Sequence, residues 1–344
     1  MQKNSAFSVL LGICFLFPIS HGLLAQVLTP AKLGFDEYTL NDKKLGKVHY
    51  YVSTAGKDKQ KPVLIYLDGS GPFPLFQYTP QGTGSSVVID FKKLSETYHI
   101  VLISKPGVPF VDSVKFDPAT GPEYPAPKEY DARLSLQWRV GAARMVITDL
   151  LKQRKTDTKK IAVIGISEGF QVATRLAAED KRVNRLVVFI GNGLSQFYDF
   201  LLQERISGKA GEETAAQAQE NIDTLYQQIK DIYNYPEATD KYWYGHTYLR
   251  WSSFGNNNPT ENLMSLSIPV YIVGCSNDHN SAIAGTDYLY LESIRQKKTN
   301  ILYKVYPYDH SFNEYEKDKD GKVLSAKSHM KEVIAASLEW LEKS

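Results

Sequence analysis

The sequence predicts an α/β protein, with a mostly parallel sheet flanked by helices and a helical cap inserted into it. Short apolar runs rich in β-branched residues alternate with helix-like patterns along most of the 344 residues. Such alternation implies right-handed crossovers and a parallel sheet. A polar, helix-forming segment followed by an aromatic one interrupts it over residues 194–267. The content of 43% hydrophobic and 23% charged residues is typical of a globular protein rather than a disordered one.

Residues 1–25 are typical of a secretory signal peptide. Lys3 supplies the positive start, an apolar run follows, and cleavage is expected near Ala25. An uncleaved N-terminal anchor is the alternative, although the run is short for a membrane span and contains Pro18. We therefore expect export to the periplasm, the cell surface or the medium. Cys14 would leave with the signal, so Cys275 alone cannot form an internal disulfide.

The first half of the core, residues 26–193, contains five expected strands and two expected helices. The strands are apolar runs, buried or alternating, that end at turn residues. They are expected at 47–54, 62–69, 99–107, 160–166 and 185–193. Residues 108–131 hold five prolines and are expected to form a loop, whereas 133–152 have the apolar spacing of an amphipathic helix. A second helix should follow Ser167 and end near Asp180.

The alternation resumes after the cap, so residues 268–344 are assigned to the same core. Strands are expected at 268–274 and 301–307, and helices at 282–296 and 326–341. The acidic stretch before the last helix is similar to half of a calcium loop, but Lys327 stands where a bidentate carboxylate is required. Asp320-Gly321 is better interpreted as a hairpin turn.

No metal cluster or cofactor motif is found in the sequence, so none is expected. The formal net charge of +2 gives no reason to expect a nucleic-acid partner. The oligomeric state stays open.

The segment Gly165-Ile166-Ser167-Glu168-Gly169 joins an expected buried strand to an expected helix. A serine at such a sharp turn is presented at the carboxyl edge of the sheet, and flanking glycines relieve crowding. The helix that follows directs its positive end toward any oxyanion formed there. Ser167 is therefore the candidate nucleophile.

A serine nucleophile needs a base, and the base needs an acid that orients it. Asp278 and His310 follow two later strands and should lie at the same edge as Ser167, in the order Ser, Asp, His. Asp278 could instead be a simple turn residue. Asp309 ranks behind it, since sequence neighbours such as Asp309 and His310 rarely direct their side chains together. Outside the predicted signal peptide, the other histidines are less suited: His279 adjoins the proposed acid, His329 falls on the expected last helix, His49 and His99 lie in or beside early strands, and His246 lies in the cap.

An oxyanion hole is expected from the backbone N–H of Glu168 and one from the loop after strand 62–69. That loop reads Asp68-Gly69-Ser70-Gly71-Pro72. Small residues let the backbone approach a substrate, which makes Ser70 the candidate second donor with Gly69 close behind. A Gly/Pro turn without a catalytic role is the alternative.

At these positions the chain resembles the α/β-hydrolase superfamily, and the resemblance covers the exported chain outside the cap. The resemblance rests on the stretches "DGSGP", "GISEG", "CSNDHN" and "YDHSF". Within the superfamily, the chain is similar to secreted esterases and peptidases near the dienelactone-hydrolase and prolyl-oligopeptidase branches. Asp68, Ile166 and Cys275 depart from residues frequent in these relatives.

Three functions follow as hypotheses. The first is an exported serine hydrolase that cleaves carboxylic esters through an acyl-enzyme. The second is a peptidase with the same triad, for which Glu204, Arg205 and Arg250 in the cap are candidate clamps, although charged helix residues usually face solvent. The third is an inactive binding protein. The aromatic stretch 242–251 could line a substrate pocket or pack the cap onto the core.

Overall fold

The computed structural model describes residues 15–16, 27–80, 82–117 and 121–344, with backbone only for 15 and 16. The predicted signal peptide therefore lies outside the described residues, apart from the backbone of 15 and 16. Among the described residues, no helix combines the length and apolar character needed to cross a bilayer.

The described chain forms strands and helices in alternation. The strands are β1 (Phe15–Leu16), β2 (Phe35–Asp42), β3 (Gly46–Ser53), β4 (Lys61–Leu67), β5 (Phe76–Thr79), β6 (Gly82–Ser85), β7 (His99–Ile103), β8 (Val111–Ser113), β9 (Lys115–Asp117), β10 (Gly121–Glu123), β11 (Thr156–Ile166), β12 (Arg185–Phe189), β13 (Tyr242–Trp243), β14 (His246–Thr247), β15 (Val270–Cys275), β16 (Ile301–Tyr306), β17 (Asn313–Lys317) and β18 (Val323–Ser328). The helices are α1 (Phe91–Leu94), α2 (Lys128–Arg133), α3 (Leu136–Gln153), α4 (Glu168–Glu179), α5 (Gln196–Ala210), α6 (Ala215–Asn234), α7 (Tyr248–Gly255), α8 (Pro259–Met264), α9 (Ile283–Arg295) and α10 (Met330–Lys343), with a short 3-10 helix at Ala31–Leu33.

An eight-stranded sheet organises the molecule. Its strand order is β2-β3-β7-β4-β11-β12-β15-β16. The six strands from β7 to β16 are mutually parallel, whereas β3 pairs antiparallel with both β2 and β7. The predicted α/β class with a mostly parallel sheet is confirmed. Strand β2 was not predicted, because its sequence "FDEYTLND" is largely polar. The strand occupies one edge of the sheet.

Both faces of the sheet are buried. Side chains along a strand alternate between the two faces, so neighbouring residues join different cores. In β4, Val63 and Ile65 join one apolar core with residues of α3 and α4, whereas Leu64 and Tyr66 join a second core with residues of α10. The sheet therefore lies between two packed layers. The carboxyl ends of its parallel strands meet at one edge.

Residues 194–267 form α5 to α8 and the small β13–β14 hairpin. Their aromatic side chains pack on one another: the ring centroids of Trp243 and Trp251 are 4.9 Å apart, and those of Phe197 and Trp251 are 5.7 Å apart. These three residues are buried in one apolar cluster. The aromatic stretch thus contributes to packing within this segment, which we call the cap segment.

Two local predictions were wrong. The expected loop 108–131 contains three short strands, β8 to β10, and most of α2. The last helix begins at Met330 rather than at residue 326, because Val323–Ser328 pairs antiparallel with β17. The predicted turn at Asp320-Gly321 joins these two strands, and Gly321 has a φ of 81° that favours glycine.

Candidate active site

Ser167 lies at a strained turn between β11 and α4. Its φ of 55° and ψ of −119° are unfavourable for a residue with a side chain. A Cβ atom on Gly165 would lie 2.2 Å from the carbonyl oxygen of Gly169, and one on Gly169 would lie 2.1 Å from that of Leu67. Only glycine permits this close approach of α4 to β4 and β11, so the two glycines are required by the turn itself.

The structure brings Ser167, His310 and Asp278 into one hydrogen-bonded chain. Ser167 Oγ is 3.1 Å from His310 Nε2, and His310 Nδ1 is 2.6 Å from Asp278 Oδ2. His310 and Asp278 are each only 7% exposed. The other Asp278 oxygen, Oδ1, accepts the backbone N–H groups of Asn280 and Ser281, both at 2.8 Å. These two hydrogen bonds fix the orientation of the Asp278 carboxylate toward His310.

The alternative candidates for the acid and the base lie in other contacts or other parts of the fold. Asp309 accepts the N–H groups of Ser311 and Asn313 at 2.8 and 2.7 Å, and the hydroxyl of Tyr315 at 2.7 Å, so it stabilises its own loop. His329 lies beside the carboxylate of Glu314. The remaining histidines lie in strand β3 or β7, in the cap segment or on an exposed turn, and they are His49, His99, His246 and His279.

The candidate oxyanion loop lies directly against Ser167. A Cβ atom on Gly69 would be 3.8 Å from Ser167 Oγ, and Ser70 lines a narrow recess together with Gly69 and Ile166. Lys105 Nζ donates to the carbonyl oxygens of Gly69 and Gly71 at 2.7 and 2.8 Å. The lysine therefore fixes the Gly69 carbonyl, and with it the direction of the Ser70 N–H in the same peptide group. Glu168, the other candidate donor, is the first residue of α4, where backbone N–H groups have no intrahelical acceptor.

A buried charge network lies next to the turn. The Glu168 carboxylate accepts Arg139 Nη1 at 2.8 Å and Arg250 Nη2 at 2.6 Å. Asp68 accepts Arg139 Nη2 at 2.5 Å and Lys105 Nζ at 2.7 Å. Burial alone would raise the pKa of Glu168, but Arg250, Arg139 and Lys105 hold it at about 2. The residue after Ser167 is thus an anion that joins the core to the cap segment.

Sequence reasoning missed most of this network. The expectation that Arg250 and Glu204 face solvent was wrong, since both are buried. Arg205 is exposed and donates to Gln219. A signal for Arg139 was available: it lies three residues after Leu136 and four before Ala143, on the apolar face of the predicted helix.

Asp199 of α5 connects the cap segment to the loop that carries Asp278. It accepts Asn192 Nδ2 at 2.5 Å and the N–H of Ala282 at 3.0 Å. Burial, together with the charge of Asp278, raises the pKa of Asp199 well above its ordinary value. Cys275 is buried at the end of β15, and burial likewise raises the pKa of its thiol. Among the described residues no group of three metal-ligating side chains occurs.

Comparisons with known proteins identify the fold. No family model and no curated protein matches the sequence. Among solved structures, one assigned as a dipeptidyl aminopeptidase IV from Bacteroides ovatus is 14% identical with a TM-score of 0.52, over 90% of this chain and 36% of its own. The α/β hydrolase GrgF from a Penicillium species is 13% identical with a TM-score of 0.51, over 90% of this chain and 98% of its own. An acylaminoacyl peptidase from Pyrococcus horikoshii is 12% identical with a TM-score of 0.50, over 80% of this chain and 38% of its own.

The chain spans only about a third of the length of the Bacteroides ovatus protein, 36%. At these identities the likeness concerns the fold. The protein has the α/β-hydrolase fold, and the resemblance found in the sequence is confirmed at that level.

Proposed function

We propose that the protein is an exported serine hydrolase that cleaves carboxylic esters through an acyl-enzyme. The observation that carries the proposal is the chain of contacts from Ser167 Oγ to His310 Nε2, at 3.1 Å, and from His310 Nδ1 to Asp278 Oδ2, at 2.6 Å. A serine hydroxyl becomes nucleophilic when a base accepts its proton and an acid fixes the tautomer of that base.

In the proposed reaction, Ser167 Oγ bonds to the ester carbonyl carbon while its proton moves to His310 Nε2. Asp278 holds the other ring N–H and stabilises the imidazolium. Collapse of the tetrahedral intermediate breaks the carbon–oxygen bond, and the alcohol leaves with the proton from His310. Water then loses a proton to His310, attacks the acyl group and releases the acid and free Ser167.

The developing oxyanion requires hydrogen-bond donors already in place. We assign this role to the backbone N–H groups of Glu168 and Ser70, with Gly69 as the alternative second donor. The strained conformation of Ser167 and the contacts of Lys105 to the loop support the assignment, because both hold backbone groups beside Ser167 Oγ.

Cleavage of short peptides is the second candidate function. It is favoured by the peptidase assignments of two structures with the same fold. Against it, the candidate clamp residues are engaged: Arg250 pairs with Glu168, and Glu204 accepts an amide N–H of Asn221. The third candidate, Arg205, donates to Gln219, and Nη1 of Arg250, which has no partner among the described residues, belongs to a side chain that is only 2% exposed, so none of the three presents a free charge to a peptide terminus.

A fluorophosphonate probe tests the mechanism, since it should label the wild type and not Ser167→Ala. Ser325→Ala, in the exposed strand β18, is the control and should label normally. Absence of wild-type labelling would favour the binding-protein hypothesis. Aryl esters of graded acyl length, compared with chromogenic dipeptides, test the substrate class; faster turnover of the dipeptides would reverse our preference.

Export is tested separately by expressing the full chain in a Gram-negative host and fractionating the cells. N-terminal sequencing of the exported protein should begin within a few residues of position 26. A product that retains residue 1 would contradict cleavage.

A further inference from the structure

Three buried side chains between α2 and the cap segment carry polar atoms that have no hydrogen-bond partner among the described residues. The Tyr130 hydroxyl, both ring nitrogens of His246 and Nη1 of Arg250 have no partner among the described residues. Their side chains are nearly sealed from solvent, with residue exposures of 2%, 3% and 2%. Buried donors are usually satisfied, so a group of three in one place indicates a missing ligand.

The three residues are neighbours. The ring centroids of Tyr130 and His246 are 6.4 Å apart. The Trp251 ring links His246 to Arg250, because its centroid lies 5.9 Å from the His246 centroid and 4.2 Å from the central guanidinium carbon of Arg250. Glu168 occupies Nε and Nη2 of Arg250, which leaves the Nη1 side of the guanidinium. The plane of the guanidinium packs against the rings of Trp251 and Phe254. Its central carbon lies 4.2 and 4.6 Å from their ring centroids. Aromatic rings therefore cover the guanidinium and leave its edge as the available donor.

The charges around these donors do not balance. Arg139, Arg250 and Lys105 bring three positive charges, whereas Asp68 and Glu168 bring two negative ones. His246 adds no charge near neutral pH, because burial and Arg250 lower its pKa to about 3. An uncompensated buried charge is costly, and it is reduced when a counter-ion binds.

We propose that Tyr130, His246 and Arg250 form a closed site for one small monovalent anion, a halide such as chloride. The phenol O–H, one imidazole N–H and the Nη1 protons are the three donors, and the ion neutralises the excess positive charge. A water molecule would accept two of these hydrogen bonds and would leave that charge uncompensated. The enclosure favours a monoatomic ion over a substrate group. The proposal is independent of the reaction at Ser167.

Bromide replaces chloride in such sites and scatters anomalously at its absorption edge. Crystals of the exported chain grown in sodium bromide should show an anomalous peak within hydrogen-bond reach of all three side chains. Thermal unfolding should be compared in sodium chloride and sodium gluconate at equal ionic strength. Above saturation, each tenfold rise in chloride should raise the midpoint by about 2 to 4 °C, whereas gluconate should not.

Variants locate the effect. Tyr130→Phe removes one hydroxyl donor to an anion and should raise the chloride concentration needed for stabilisation by about tenfold or more. Arg250→Lys keeps the charge but loses the guanidinium edge, and should also weaken the response. Tyr226→Phe, on the exposed side of α6, is the matched control and should respond like the wild type.

A bromide peak together with a chloride response that Tyr130→Phe weakens would establish the site. Density without anomalous signal, combined with equal midpoints in chloride and gluconate, would identify a water molecule and overturn the proposal. A chloride response unchanged in both Tyr130→Phe and Arg250→Lys would also overturn it, because the ion would then bind elsewhere.

Discussion

Replacing Glu168 with glutamine tests whether the buried ion network stabilises the folded protein. Glu168 accepts hydrogen bonds from Arg139 at 2.8 Å and from Arg250 at 2.6 Å, and all three side chains are buried. The amide keeps the shape but removes the negative charge between two guanidinium groups. Breaking a buried ion pair by removing one partner costs about 3–5 kcal/mol, and we expect Glu168→Gln to lower the free energy of unfolding by about that amount.

The measurement is urea unfolding followed by tryptophan fluorescence at pH 7. Glu179→Gln, in the same helix, is the control: its partners Arg144 and Arg175 are largely exposed, so the loss should stay below about 1 kcal/mol. A Glu168→Gln value no larger than that of the control would refute the reasoning.

The same pair of proteins gives a pH test with a defined sign. The pKa of Glu168 is lowered from 4.5 to about 2 in the folded state, so its contribution is complete above about pH 4.5 and is lost as pH falls toward 2. The stability difference between wild type and Glu168→Gln should therefore shrink over that range. A difference that stays constant from pH 5 to pH 2.5 would contradict the assignment.

Three further changes test other parts of the site. Gly165→Ala places a Cβ 2.2 Å from the carbonyl oxygen of Gly169. It should lower the free energy of unfolding by about 1–3 kcal/mol and also lower the rate of probe labelling. Unchanged labelling would show that the turn tolerates a side chain. Lys105→Met removes the anchor of the Gly69 and Gly71 carbonyls and should lower kcat roughly tenfold to a hundredfold with little change in KM, which steady-state kinetics would check. Asp199→Asn should gain thermal stability relative to wild type as pH rises from 4 to 7, since a raised carboxyl pKa penalises the ionised form; a difference independent of pH would contradict this.

The parallel sheet could be predicted because its central strands are continuous apolar runs, as in β4 and β15. The positions of Ser167, Asp278 and His310 at one edge follow from the predicted strand order, since each comes shortly after a parallel strand: β11 and β15 are buried, and β16 is a half-exposed edge strand. Their catalytic role stays a prediction.

The network around Glu168 could not be predicted in the same way. Its five members, Asp68, Lys105, Arg139, Glu168 and Arg250, come from five separate parts of the chain, and charged residues such as Arg250 normally face solvent. The short strands β8 to β10 were missed because proline-rich sequence has no clear periodicity, and the start of α10 was placed too early because "SAK" also suits a helix.

Cys275 has a practical consequence for measurements in solution. It is the one cysteine among the described residues, it is buried, and its raised pKa keeps the sulfur as an unreactive thiol. In a chain from which residues 1–25, and with them Cys14, have been removed, a cysteine introduced on the exposed face of α6 would therefore react selectively with maleimide dyes or spin labels. Distances between the cap segment and the sheet could then be followed by spectroscopy, with and without a candidate ester, without altering the native sulfur.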